Sequence, residues 1–141
     1  MDQVRQDAAW KTAALLLARL VIAALFAMGM VFKFVDINST AGSIAAAGFP
    51  LSTLLAWAAA IFELALVFAF LSGAYFREAA LLAAAYLIFL GFAFHGPSHW
   101  TDGEGLNIGA FISHFPFAAG LLFAAVHGPG RTLALQWGLL K

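Results

Sequence analysis

Residues 51–71 read LSTLLAWAAAIFELALVFAFL, a run in which Glu63 is the one charged residue. A helix needs ~20 mainly apolar residues to cross the hydrocarbon core of a bilayer. The run therefore predicts a transmembrane helix with an ionisable group in its middle. Three similar runs surround it: 13–32, interrupted by Arg19; 76–95, with Arg77 and Glu78 near its start; and 107–126, carrying His114 and Pro116. Backbone in lipid must satisfy its own hydrogen bonds, which leaves helices or a closed barrel. Barrel strands alternate apolar and polar residues over ~10 positions, and Ala79–Ala80–Leu81–Leu82–Ala83–Ala84–Ala85 does not alternate. The expected fold class is all-α, a single domain built as an integral membrane bundle of four transmembrane helices.

Composition agrees. The 141 residues are 64% hydrophobic and 10% charged, with a mean hydropathy of +0.94, whereas a soluble domain is about half apolar and about a quarter charged. Seven Lys+Arg balance seven Asp+Glu, which removes the electrostatic footprint of nucleic-acid binding. The chain has no cysteine, so disulfides, iron–sulfur clusters, thiolate-bound zinc and thiol redox chemistry are excluded. The first run is too long for a signal-peptide core, and no small-x-small cleavage site precedes a polar mature domain.

The connections fix the topology. Ser72–Gly73 is a turn signal in a very short link, so the second and third helices form an antiparallel hairpin. Pro50 stands at the start of the second helix, where its missing N–H costs nothing, and Gly128–Pro129–Gly130 ends the fourth. Basic residues favour the cytoplasmic side. Arg5, Lys11, Arg77, Arg131 and Lys141 fall on one side and Lys33 alone on the other, so both termini are expected in the cytoplasm, with the loops 33–50 and 96–106 outside. Trp10, Trp57, Trp100 and Trp137 lie near span ends, as interfacial anchors do. Residues 131–141 read as an interfacial tail with weak amphipathic character.

Ionisable groups within spans are costly and normally face the bundle interior with a partner. Counted from the cytoplasmic ends of their runs, Arg19 lies about 9 Å deep and Glu63 about 12 Å deep. Ala56, Ala59 and Ala60 share the Glu63 face and admit a close neighbour. The expectation is a buried Arg19–Glu63 pair. Two readings of it stay open: an ion pair that fixes helix register, or a proton or quinone-headgroup site. Lys33, at the outer boundary, is expected to snorkel.

The histidines give secondary polar contacts. His95 and His99 flank a Gly96–Pro97 break near Asp102 and Glu104, a set that reads as a solvated loop rather than a metal site, because the break removes the helical spacing of two ligands. His114 lies ~10 Å below the outer surface, and with His95 reads as a polar packing contact rather than a haem pair. Gly109, Ser113, Gly120 and Ala124 mark a small-residue stripe for tight contact, and Pro116 is expected to kink the fourth helix near Ile112.

Taken in order, several motifs resemble the DoxX family of small bacterial membrane proteins. They are Leu17-Ala18-Arg19-Leu20, Phe62-Glu63-Leu64, Leu71-Ser72-Gly73-Ala74-Tyr75-Phe76-Arg77, Phe94-His95-Gly96-Pro97 and His127-Gly128-Pro129-Gly130-Arg131. The family's HGxxK after the first helix reads here Met28-Gly29-Met30-Val31-Phe32-Lys33, with the histidine replaced and the lysine one residue late. The resemblance implies a bacterial inner-membrane protein associated with membrane redox systems, including quinone-linked ones, and a polar pair at Arg19 and Glu63. The leading expectation is a non-catalytic accessory or anchoring subunit of an electron-transfer complex, embedded in lipid among other subunits and holding no cofactor of its own. The alternatives are a quinone- or lipid-binding protein with its polar site at Arg19 and Glu63, and a small oligomeric transporter.

Overall fold

A computed structural model of the chain describes residues 2–102 and 105–140, with side chains described over 9–100 and 105–140. The side chains of Arg5 and Asp102, and all of Glu104 and Lys141, lie outside them. Five helices follow one another: α1 (Asp2–Val35), α2 (Ile37–Ala46), α3 (Ser52–Ser72), α4 (Phe76–His95) and α5 (Leu106–His127), with a 3₁₀ segment at Pro97–Asp102 between the last two. Four of them, with α1 counted from Ala9, are long and apolar enough to cross a membrane. The all-α membrane bundle expected from hydropathy is the observed architecture, and the chain is a multi-pass membrane protein.

Span ends shift by a residue or so for α3 and α5, and α4 keeps its expected bounds. Leu51 adopts a left-handed conformation ahead of α3, so the helix starts at Ser52, two residues after Pro50. The larger departures are elsewhere. The segment 33–50, expected as an outer loop, contains α2. Asp36 starts it as an N-cap, its side chain accepting the Ser39 N–H at 2.9 Å, which satisfies one otherwise orphaned donor of the first turn. Ala41 and Ile44 then bury against Ala56 of α3. α5 runs unbroken from Leu106 to His127 with Pro116 inside it.

The four spanning helices group as two pairs. α1 lies along α3 and α4 along α5, while contact between the pairs is much thinner. Where the pairs do meet, Phe70 is fully buried between Phe26 and Phe76, with ring centroids 5.6 Å apart on each side. Ala80 and Ala83 are also fully buried. α4 and α5 approach closely at Gly91, where an added Cβ would lie 3.2 Å from the Cβ of His114. The contact face of α5 is Ala118, Leu121 and Ala125. Gly109 and Gly120, expected in a packing stripe, instead face open space. Large apolar side chains such as Leu17, Phe32, Phe68, Phe89 and Phe123 stand exposed around the bundle, the surface a lipid-embedded protein presents.

Residues 131–140 form no helix; they run back across the ends of α3 and α4. Ser72 O accepts the Leu135 N–H at 2.8 Å, and the Tyr75 N–H donates to Trp137 O. One Glu78 oxygen accepts the N–H groups of Leu139 and Leu140. Gly73 makes this possible. It sits at φ +78°, and a Cβ there would come within 2.8 Å of Ala134, so only glycine allows both the turn and the crossing. The tail still exposes Leu133, Trp137 and Leu139.

Candidate functional site

The central polar group is Glu63. It is 4% exposed, in the middle of α3. Its partner is Lys33, not Arg19: Lys33 Nζ lies 2.9 Å from both carboxylate oxygens. Tyr86 of α4 donates its hydroxyl to Glu63 Oε1 at 3.0 Å. Three helices thus converge on one carboxylate, and the Tyr86 bond crosses from one helix pair to the other. Gly29 leaves the space. Its own α-carbon stands where a Cβ would lie 3.1 Å from Glu63 Oε2.

The expected Arg19–Glu63 pair is therefore corrected on both sides. Both residues are buried, Arg19 at 2% exposure, but at different levels. Arg19 NH1 donates to Pro129 O at 3.0 Å and NH2 to Leu133 O at 2.9 Å. It anchors the chain just beyond α5. The depth count failed because α1 begins at Asp2, and residues 9–14 are exposed. Arg19 is thus level with the end of α5, not a third of the way into the bundle. Lys33 is about 21 Å farther along α1. It does not snorkel outward. Helical side chains lean toward the helix N-terminus, which carries its ammonium back over Gly29 O at 3.4 Å and inward to Glu63.

Tyr86 went unnoticed in the sequence. Its signal was a phenol inside an otherwise apolar run, since a buried tyrosine hydroxyl needs a partner. The sequence contains only two tyrosines, and this one stands in the middle of α4.

Two apolar cavities flank the polar bridge. One, of about 520 Å³, opens between α3, α4 and α2; Lys33 and Tyr86 line it with Ile44, Phe62, Phe89 and Phe94. The other, of about 490 Å³, opens between α1 and α5; Glu63 and His114 line it with Leu25, Phe26, Leu87 and Phe117. Both fall in the size range of small-molecule sites, which are mostly apolar with a few convergent polar groups. The first cavity presents one donor, the ammonium of Lys33, beside the Tyr86 hydroxyl, whose hydrogen is already given to Glu63. The second presents acceptors, the carboxylate of Glu63 and an imidazole.

His114 is held by its Nδ1, which donates to Ala110 O at 2.6 Å, so in the neutral ring Nε2 is the acceptor. The His95 ring lies beside it, centroids 5.5 Å apart. His95 Nδ1 is 3.0 Å from Asn107 Oδ1. The two expected secondary contacts are thus neighbours toward the end of the α4–α5 pair that holds the Pro97–Asp102 segment. Among the described residues, no group of three His, Asp or Glu side chains is arranged to hold a metal. At the opposite end, Arg77 caps α5 by donating to the Ala125 and Val126 carbonyls, where a cation meets the negative end of the helix dipole.

Neither the curated proteins nor the solved structures compared with the chain gave a match. The sequence profile of the DoxX family does match, over residues 14–96. This covers most of α1, then α2 to α4, and so includes Arg19, Gly29, Lys33, Glu63 and Tyr86. With more than half of its length matched and the four-span helical architecture in place, the chain belongs to the DoxX family.

Proposed function

We propose that the protein binds an amphiphile with an oxygen-bearing head group, of the quinone or lipid class, at the Lys33–Glu63–Tyr86 bridge, and does so in the service of a membrane redox complex. The observation that carries this reading is the placement of one buried ion pair between two apolar cavities. A buried pair with no further role gains little over apolar residues of similar volume, and an ionisable group inside a membrane is a functional-site hypothesis by default. A carbonyl oxygen reaching the first cavity would take the third hydrogen of Lys33 in place of its long 3.4 Å contact with Gly29 O. A hydroxyl reaching the second cavity would donate to Glu63 or to His114. The Lys33 donor on one side and the Glu63 acceptor on the other suit the oxidised and reduced forms of a quinone head group. The basic-residue bias supports a bacterial inner membrane with both termini in the cytoplasm.

A second reading, an anchoring subunit that holds no ligand, is favoured by the exposed apolar surface and the short connections between helices. Titration of the purified protein with a short-chain ubiquinone, followed calorimetrically, separates the two. Saturable binding by the wild type, weakened about tenfold or more in Tyr86→Phe and Glu63→Gln, supports the binding reading; each lost charge-assisted or neutral bond is worth roughly that factor. Wild-type protein that binds neither this quinone nor phospholipid, yet co-purifies in fixed ratio with other membrane subunits, supports the anchor and overturns the binding reading.

A further inference from the structure

Arg19 presents a problem that its hydrogen bonds to the tail do not solve. It is 2% exposed. Its two terminal nitrogens are taken by Pro129 O and Leu133 O, both neutral, and its Nε–H has no acceptor from the protein. Among the described residues the one ion pair is Lys33–Glu63. A full positive charge is therefore buried without a counter-charge, and a buried donor without a partner. Both are costly in an apolar setting.

Arg19 also lines a cavity. α1 and α5 barely touch, and on the termini side of the bundle the gap between them holds a pocket of about 170 Å³. Leu15 and Ile22 form its wall on α1, Phe123 its wall on α5, and Phe76 closes it from α4. His127 stands exposed at the rim, its Nδ1 donating to Phe123 O. The guanidinium of Arg77 lies close by, against Gly128. The site thus offers one buried cationic donor, further positive charge at its mouth, and hydrocarbon walls.

We propose that this pocket is a separate site, distinct from the Glu63 bridge, that binds the acid group of an anionic lipid through the Arg19 guanidinium. An acid oxygen seated against the guanidinium supplies the missing negative charge, forming a charge-assisted bond. The chemistry is common to phosphodiesters and carboxylates. The volume accommodates the acid group and the first carbons attached to it. The rest of the chain would lie along the exposed flank of Phe123, in the leaflet on the side of the termini.

Native mass spectrometry of the detergent-purified protein tests this. The probes are phosphatidylglycerol and oleate, with diacylglycerol, which has no acid group, as the control. The wild type is expected to retain one phosphatidylglycerol or oleate with about a tenfold preference over diacylglycerol, the equivalent of one charge-assisted bond. Which of the two is kept identifies the source of the acid group. Arg19→Met should abolish the preference. Because that variant also releases the tail, Leu15→Trp serves as the second: Leu15 lines this pocket and not the cavity at Glu63, so the larger side chain fills the pocket with Arg19 intact. It should lose the adduct too, whereas Glu63→Gln should keep it, which separates this site from the bridge. Equal retention of diacylglycerol, or an unchanged adduct in Leu15→Trp, would overturn the proposal.

Discussion

Lys33 and Glu63 meet through two 2.9 Å contacts across α1 and α3, at a side-chain exposure of 19% and 5% respectively. The same carboxylate accepts the Tyr86 hydroxyl of α4. One side chain therefore ties together two helix pairs that otherwise touch thinly. The cavities on either side exist because the pairs stand apart, and the bridge is the polar feature they share.

Gly29 sets the fit of this bridge. An alanine there gains helix propensity of about 1 kcal/mol, but its Cβ would press on Glu63 Oε2 at 3.1 Å. Glu63 is held by three hydrogen bonds and cannot easily yield, so overpacking of about 1–3 kcal/mol outweighs the gain. Gly29→Ala is expected to lower the unfolding temperature in detergent. Gly42→Ala on α2, where a Cβ meets open space, is expected to raise or preserve it.

Arg19 holds the tail. Removing its two charge-assisted bonds in Arg19→Met should cost about 3 kcal/mol and expose residues 131–140 to protease, read as rapid trimming by mass spectrometry. Arg19→Lys should rescue only part of this, because an ammonium is a point charge and cannot reproduce the guanidinium's forked geometry across Pro129 O and Leu133 O. Trimming at wild-type rates in Arg19→Met would show that the tail is fixed by Ser72, Tyr75 and Glu78 alone.

The orientation expected from basic residues is open to direct labelling. A cysteine at Ser43, on α2, should react with a membrane-impermeant thiol reagent added to intact cells, and one at Gln136, in the tail, should react only after lysis. The chain's lack of native cysteine gives a clean background. The reverse pattern would invert the topology.

Much of the fold was legible because hydropathy and length decide spans almost by themselves. α2 was not, since INSTAGSIAA is short and half polar; its signal was local, Asp36 placed to cap Ser39. The site was half legible. A carboxylate in an apolar run marked Glu63, but its partner depended on depth, and depth was counted from a hydropathy boundary rather than from where α1 enters the bundle. A lysine stem long enough to reach back a full turn made Lys33 look like a boundary residue. The tail's course over Gly73 depends on backbone bonds to Ser72 and Tyr75, which no side-chain pattern encodes.

The most direct test of the account is a double-mutant cycle on Lys33 and Glu63, read as unfolding free energy in detergent. Removing one member of a buried pair leaves an unpaired charge and costs about 3–5 kcal/mol, whereas removing both is close to neutral. Lys33→Met and Glu63→Leu should each be strongly destabilising, and the double variant should recover about 2 kcal/mol or more relative to their sum. The parallel cycle of Arg19→Met with Glu63→Leu should be additive. Additive effects for Lys33 with Glu63, together with coupling between Arg19 and Glu63, would contradict the bridge and restore the pairing that the sequence alone suggested.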